Sequence, residues 1–203
     1  METHTSLLSI TGLLKATAAQ EGASRVLYMQ ASDESTDLQG ERLLAKSLQD
    51  SAEHFLRYGN IDLDHRSILP PRVPNESTYL WEIGHPVDVS FVNDRTLVKA
   101  VLFSGDGPMA QNANMVWDSL TNVAPPMRWY PSVGGAVLPG GKETAIDPVT
   151  KAKVSLIKSV RWSNIGLSRT PVNVSVPSVS VIGADVFAKC LTLDGHFDLE
   201  IST

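Results

Sequence analysis

Residues 41–65 read ERLLAKSLQDSAEHFLRYGNIDLDH, and the hydrophobic period changes within this stretch. Its first part repeats apolar or small residues at helical spacing, at Leu44, Leu48, Ala52 and Phe55. That spacing predicts a helix, which Gly59 and the following Asn60 end. The alternation that follows predicts a strand from Asn60 to His65. A helix and a strand therefore succeed each other directly.

Strand patterns dominate the rest of the sequence. Further strands are predicted at Arg25–Ala31, Pro86–Val92, Leu97–Phe103, Met127–Val137, Lys153–Trp162 and Ser163–Leu167. A hairpin is predicted from the strands Pro86–Val92 and Leu97–Phe103, which flank residues 93–96. A second, short helix is predicted from Met109 to Leu120. The sequence thus predicts an α+β fold, mainly an antiparallel β-sheet or barrel with a few packed helices.

Composition excludes several classes of protein. The chain has 203 residues and a net charge of −5, which suits one globular domain and offers no basic stripe for nucleic acid. The single cysteine, Cys190, excludes an intramolecular disulfide and a cysteine-rich zinc site. No stretch approaches the ~18 apolar residues of a membrane span. No basic region precedes the apolar residues near the N-terminus, so we expect a soluble, intracellular protein without a signal peptide.

The segment GNIDLDHRS, residues 59–67, contains the first candidate for chemistry. In a strand, His65 would continue an apolar row, while Asp62 and Asp64 would lie on the opposite face. An imidazole in such a row needs a hydrogen-bond partner, and a lone histidine of this kind is more often structural than catalytic. The two aspartates have no second cluster of ligands, so the segment predicts no metal site.

The second candidate lies in MRWYPSVGGAV, residues 127–137. Ser132 stands next to a Val-Gly-Gly sequence, where a substrate carbonyl has room to approach and backbone N–H groups can face an oxyanion. The hydrolase motif G-x-S-x-G is absent, because Tyr130 occupies the position of its first glycine. Taken alone, the pattern favours an ordinary strand that ends in a glycine turn.

Read in order, the motifs resemble those of the prohead (capsid-maturation) serine proteases of tailed phages. The matching motifs are D-x-Q-G-E at Asp37–Glu41, S-A-x-x-F-L at Ser51–Leu56, a strand ending in His65, a hairpin, a helix with Trp117, S-x-G-G at Ser132, and residues 164–173. The last segment reads NIGLSRTPVN, where the family form is EVSLVxxPAN. The resemblance spans residues 25–175 as a protease domain, between an N-terminal extension, 1–24, and a tail or linker, 176–203.

The resemblance implies a fold similar to the herpesvirus assemblin proteases and a set of site residues. Ser132 is the implied nucleophile and His65 the general base, within hydrogen-bond reach of each other. The family's third catalytic residue is usually glutamate, and Asn164 stands in its place; asparagine can orient an imidazole but supplies no charge. His85 is a rival for this role, because assemblins use a second histidine, whereas strand alternation turns Asp64 away. The implied oxyanion donors are Val133, Gly134 and Gly135, with Arg169.

The implied function is a serine endopeptidase inside the immature phage head, in the host cytoplasm. It would cleave segments of the scaffold protein and the major capsid protein, bound as extended peptides, without a cofactor or a metal. A homodimer is an open possibility, and no nucleic-acid or membrane partner is expected. The absence of glutamate at position 164 keeps an alternative open, a catalytically inactive, protease-like structural protein of the phage head. An unrelated β-rich binding domain is a third reading.

Overall fold

The computed structural model describes residues 16–21 and 24–180, so the remainder of the predicted tail, including Cys190, lies outside the described residues. Its strands are β1 (Ala16–Glu21), β2 (Ser24–Ser32), β3 (Glu41–Leu43), β4 (Asn60–Leu63), β5 (Glu82–Val92), β6 (Arg95–Leu102), β7 (Tyr130–Val137), β8 (Lys142–Ile146), β9 (Lys153–Ile157), β10 (Val160–Ser168) and β11 (Val179–Ser180). The two α-helices are α1 (Ala45–Tyr58) and α2 (Gln111–Thr121). The predicted α+β class and both predicted helices are confirmed.

The strands form one large and one small sheet. The large sheet has eight strands in the order β11-β1-β2-β6-β5-β4-β10-β7, and the small sheet has the order β3-β9-β8. Most neighbours in the large sheet are antiparallel, whereas β4 and β10 run parallel. Part of the predicted N-terminal extension, β1, is a strand of this sheet. Neither described helix has the length and apolar character that a membrane span requires.

Helix α1 packs against β10 and thereby fixes the strand that carries Asn164. The rings of Phe55 and Trp162 are stacked, with centroids 3.9 Å apart, and both side chains are fully buried. The backbone N–H of Trp162 also donates to the Ser51 hydroxyl across 2.8 Å. Aromatic stacking adds about 0.5–1.5 kcal/mol to the burial of apolar area. This contact holds the sheet under the candidate site.

Three predicted elements differ from the observed ones. The strand predicted from Asn60 to His65 ends at Leu63, because Asp64 and His65 adopt left-handed backbone conformations with φ of 53° and 57°. The strand predicted over Lys153–Trp162 is divided between the two sheets, since β9 ends before β10 begins. Between the predicted strands at 127–137 and 153–162, where no strand was predicted, the structure has β8, which forms a hairpin with β9. Hairpin pairing can recruit a sequence that lacks strong strand preference.

Candidate active site

Strands β4, β10 and β7 lie side by side and bring the candidate residues together. In the antiparallel pair β10–β7, Asn164 lies opposite Gly134 and Gly166 lies opposite Ser132. Residues that are directly opposite share a face of the sheet, as do residues two apart on one strand. Ser132, Gly134, Asn164 and Gly166 therefore share one face.

His65 reaches this face from a turn and not from a strand. The Asp62 carboxyl accepts hydrogen bonds from the backbone N–H groups of His65, at 3.1 Å, and Ser67, at 2.7 Å. These bonds hold two successive left-handed residues, a conformation that costs about 1 kcal/mol or more for each residue other than glycine. The chain reverses direction, and the imidazole lies over β10 and β7. Strand alternation predicted that His65 and Asp64 lie on opposite faces of a strand, but both residues follow the end of β4.

Two glycines make room for the imidazole. A Cβ atom added to Gly134 would lie 2.6 Å from His65 Nδ1, and one added to Gly166 would lie 2.8 Å from the same atom. Non-bonded heavy atoms of these types do not approach so closely without displacement. Side chains at either position would thus compete with His65 for the same space.

The side chain of Asn164 is hydrogen-bonded to the imidazole ring of His65. Its Oδ1 lies 2.5 Å from His65 Nδ1, and its Nδ2 donates to Asn60 Oδ1 across 2.6 Å. Asn164 is fully buried, so both ends of its amide depend on these partners. With Oδ1 as the acceptor, Nδ1 carries the proton and Nε2 is the basic nitrogen; this amide orientation follows from the network.

A cleft of about 360 Å³ runs along this face. His65, Ser132 and residues 133–135 line it, together with Ile68 and Leu69. Ser132 is half-buried, and in the described chain no hydrogen bond joins it to His65. Catalytic hydrogen bonds are often long before substrate binds, so both groups remain available to one ligand in the cleft.

The far wall of the cleft is built around Asp33 at the end of β2. Burial of Asp33 opposes its ionisation, and hydrogen bonds from Ser175, Ser35 and Asn173 outweigh that effect, so the pKa of Asp33 lies below its ordinary value. The bond from Asn173 Nδ2 is 3.0 Å long and connects positions that are far apart in the sequence. This cluster fastens the segment after β10 beside the cleft.

His85, the rival for the third position, and Arg169, an implied oxyanion donor, both lie away from His65 and Ser132. His85 is exposed on β5, and its ring centroid is 6.2 Å from that of Phe103. The Arg169 guanidinium lies over the Trp129 ring, 5.1 Å from its centroid, and is not part of the cleft wall. Asp64 is exposed. In residues 16–21 and 24–180, no group of three or more histidine, cysteine or acidic side chains is arranged to hold a metal ion.

Sequence reasoning missed Asn60 and Ser67, and it assigned Asp62 no role. The Ser67 hydroxyl donates to Asp62 Oδ2 and accepts from Asn60 Nδ2. The sequence contained one signal for Asp62. It lies three residues before His65, and at this spacing an aspartate side chain can accept a hydrogen bond from the backbone of a turn. Asn60 had no comparable local signal, because its partner Asn164 is distant in the sequence.

The loop after His65 is anchored by Glu76. A hydrogen bond from the Arg66 guanidinium, followed by one from the Arg72 backbone N–H, lowers the pKa of Glu76 from 4.5 to about 2, and the Trp81 indole N–H contributes less. Arg66 is only 4% exposed and has Glu76 as its ion-pair partner. Removing the carboxylate therefore leaves a buried cation without its counterion.

We expect Glu76→Gln to lower the melting temperature at pH 6, and the difference from wild type to shrink as the pH falls. Because folding depresses the pKa of Glu76, its contribution is complete above about pH 4.5 and is lost as the pH falls towards 2. Thermal melts at pH 6, 4 and 3 measure this. Glu143→Gln, which removes an exposed pair with Lys158, is the control and should have little effect. A pH-independent difference for Glu76→Gln would contradict the assignment.

Comparisons with known proteins show a likeness to a solved structure. A scan against known protein families finds no match, and neither does a search of the curated proteins. Among solved structures, the chain is similar to the capsid assembly protease gp21 of bacteriophage T4, with 14% sequence identity and a TM-score of 0.39. The match covers 83% of this chain and 96% of the T4 chain. At this level of similarity, a functional conclusion has to rest on the site itself.

Proposed function

We propose that this chain is a serine endopeptidase that acts on scaffold and capsid-protein segments in the immature phage head. The observation that carries the proposal is the placement of one histidine and one serine on the same cleft. His65 lies against Gly134 and Gly166, and its Nδ1 is held by Asn164; Ser132 is directly opposite Gly166. The proposed substrates are inferred from the resemblance of the sequence motifs to those of the prohead proteases.

The chemistry follows from this geometry. Ser132 Oγ attacks the scissile carbonyl carbon as its proton passes to Nε2 of His65. The oxyanion accepts hydrogen bonds from those backbone N–H groups of residues 133–135 that are not bonded to β10. His65 returns the proton to the leaving amine, and water then releases the acyl group by the same steps. Asn164 keeps the imidazole in the required orientation throughout.

The substrate is proposed to bind as an extended strand. Among the described strands, β7 forms hydrogen bonds only with β10, so its other edge is unpaired. The cleft runs beside this edge, and Ala31, Ser32 and Asp33 bound it on the other side. A peptide added to an unpaired edge gains main-chain hydrogen bonds and needs few side-chain pockets.

A serine-directed fluorophosphonate tests the proposal without knowledge of the natural substrate. We expect one covalent adduct, located on Ser132 by mass spectrometry, and strongly reduced labelling of His65→Gln. Ser35, another serine that lines the cleft, is the internal control and should stay unlabelled. Hydrolysis of a random peptide library by the same preparation would demonstrate turnover.

The inactive structural protein remains the second candidate, because the third position holds a neutral amide and no hydrogen bond joins Ser132 to His65. In that case neither labelling nor peptide cleavage would occur. Labelling of serines without preference for Ser132 would equally count against the protease.

Asn164 gives a graded test of the mechanism. We expect Asn164→Leu to lower kcat about 10- to 100-fold, because the hydrogen bond to His65 Nδ1 is lost. Asn164→Asp should lower kcat less than Asn164→Leu, since the carboxylate still accepts from His65 Nδ1 and stabilises the imidazolium but places an oxygen against Asn60 Oδ1. His85→Ala is the control and should not change hydrolysis. Full activity of Asn164→Leu, together with an inactive His85→Ala, would make His85 the third member.

A further inference from the structure

The proposed mechanism leaves one buried carboxyl group unused. Asp62 is fully buried, and both of its oxygens act as acceptors: Oδ1 from the His65 N–H, and Oδ2 from the N–H and the hydroxyl of Ser67. No lysine or arginine of the described chain forms an ion pair with Asp62. Burying a carboxylate without a neighbouring cation costs free energy, so the presence of an aspartate at position 62 needs an explanation.

A chain of side-chain hydrogen bonds leads from Asp62 to Asn164. The Ser67 hydroxyl lies 2.7 Å from Asp62 Oδ2 and 3.3 Å from Asn60 Oδ1. Ser67 has one proton to give, and the shorter, charge-assisted bond to the carboxylate is the stronger one. Ser67 Oγ then accepts from Asn60 Nδ2 at 3.1 Å, and Asn60 Oδ1 accepts from Asn164 Nδ2 at 2.6 Å.

The carboxylate gives this chain its direction. Hydroxyl and amide groups both donate and accept, so a chain of them alone can be satisfied in either sense. A carboxylate only accepts hydrogen bonds, so the Ser67 hydroxyl has to direct its proton at Asp62. The Asn60 amide is then oriented with Nδ2 towards Ser67, and the Asn164 amide with Nδ2 towards Asn60. The end of the chain is an oxygen that faces His65 Nδ1, at 2.5 Å.

We propose that Asp62 is a positioning residue that sets the tautomer of His65. Acting through Ser67, Asn60 and Asn164, it keeps the imidazole proton on Nδ1 and leaves Nε2 able to accept the proton of the nucleophile. It also supplies, from the neighbouring strand β4, the negative charge that a neutral Asn164 cannot. The catalytic meaning of this inference rests on the proposed protease function, whereas the tautomer itself does not.

Other charged groups near the turn do not provide this effect. Asp64 is exposed, and Arg66 is paired with Glu76. On the neighbouring strand β5, Glu82 is half-buried and opposite Asp62, and in the described chain its side chain has no hydrogen bond to His65 or Asn164. The carboxylates of Asp33, Asp37 and Glu41 line the same cleft as His65, and none of them is hydrogen-bonded to His65 or Asn164 in the described chain. Strands β10 and β7 bring only uncharged residues against the ring, namely Asn164, Gly166 and Gly134.

Nitrogen-15 NMR of the His65 imidazole tests the inference directly. In the neutral ring of the wild type we expect Nδ1–H to predominate. In Asp62→Asn and Ser67→Ala, the Nε2–H fraction should rise at least about threefold. Ser67→Thr keeps the hydroxyl and should restore the wild-type spectrum. Asp64→Asn makes the same substitution as Asp62→Asn at an exposed position, and it should leave the spectrum unchanged.

Kinetics provide the second readout. We expect Asp62→Asn to lower kcat about tenfold with little change in KM, because the reacting base and not the substrate site is affected. The acid side of its pH–rate profile should also shift to lower pH, since the imidazolium loses a neighbouring negative charge. Ser67→Ala keeps the charge of Asp62 and should lower kcat without that shift.

The two hypotheses fail separately. If the wild type hydrolyses no peptide but shows the expected tautomers, the protease function is wrong and the inference about His65 stands. If a folded Ser67→Ala keeps the wild-type Nδ1–H spectrum, the inference is overturned whatever the activity. Ser67→Ala decides this even if Asp62→Asn does not fold.

Discussion

Replacing Ser132 with alanine is expected to abolish peptide hydrolysis, with a fall in kcat of at least about 10³-fold. The reason is chemical: Ser132 is the residue that β7 places opposite Gly166, and Gly166 is the residue against which His65 packs. Ser132 is half-buried, and its side chain forms no hydrogen bond within the described residues, so the melting temperature should hardly change. Steady-state hydrolysis and a thermal melt of the same preparation measure the two effects.

The matched control is Ser104→Ala, which removes an exposed hydroxyl from a loop outside the cleft. It should retain full hydrolysis and full labelling by the fluorophosphonate. If Ser132→Ala retains hydrolysis at the rate of this control, Ser132 is not the nucleophile. Loss of activity accompanied by a large fall in melting temperature would show a folding defect instead.

Adding a single methyl group at Gly166 or Gly134 should reduce kcat by about 100-fold or more. An alanine Cβ at position 166 would lie 2.8 Å from the His65 backbone nitrogen, and one at position 134 would lie 2.7 Å from Asn164 Oδ1. Neither neighbour is the free end of a flexible side chain, so the turn or the amide has to move. Small displacements of a general base are costly because proton transfer requires a short, aligned path.

Gly107→Ala is the control for the glycine variants, since a Cβ there meets no atom within 4 Å. It should leave hydrolysis and stability unchanged. The decisive comparison is the NMR signal of the His65 imidazole, which Gly134→Ala should shift and Gly107→Ala should not. Wild-type kcat in a folded Gly134→Ala would show that the observed position of His65 is not the catalytic one.

The elements of the fold were largely predictable from local sequence. Helix α1 begins and ends within a few residues of the predicted helix, because its apolar period and the glycine that follows act over short distances. The same reasoning failed at His65. The carboxylate of Asp62, three residues earlier, accepts a hydrogen bond from the backbone N–H of His65, and the chain turns there. The alternation of apolar residues in a strand gives no sign of such a bond.

The candidate site shows where prediction from sequence ends. Ser132 and His65 were singled out by residue type and local sequence, but their proposed roles came from the family resemblance. The role of Asn164 was suggested only by its place in a family motif, and Asn60 was not suggested at all. These two side chains meet because β4 and β10 pair in parallel, with Asn60 beside Asn164, across a separation of 104 residues.

The sequence by itself determined the class of the fold and most of its elements, which follow from periodicity and turn residues that act within a few residues. It offered His65 and Ser132 as candidates, and their proposed roles came from the family resemblance. Only the tertiary structure decided which groups hold His65: the amide of Asn164, the space over Gly134 and Gly166, and the chain that begins at Asp62. These contacts depend on the register between strands that are distant in the sequence, and that register is set by the packing of the whole core.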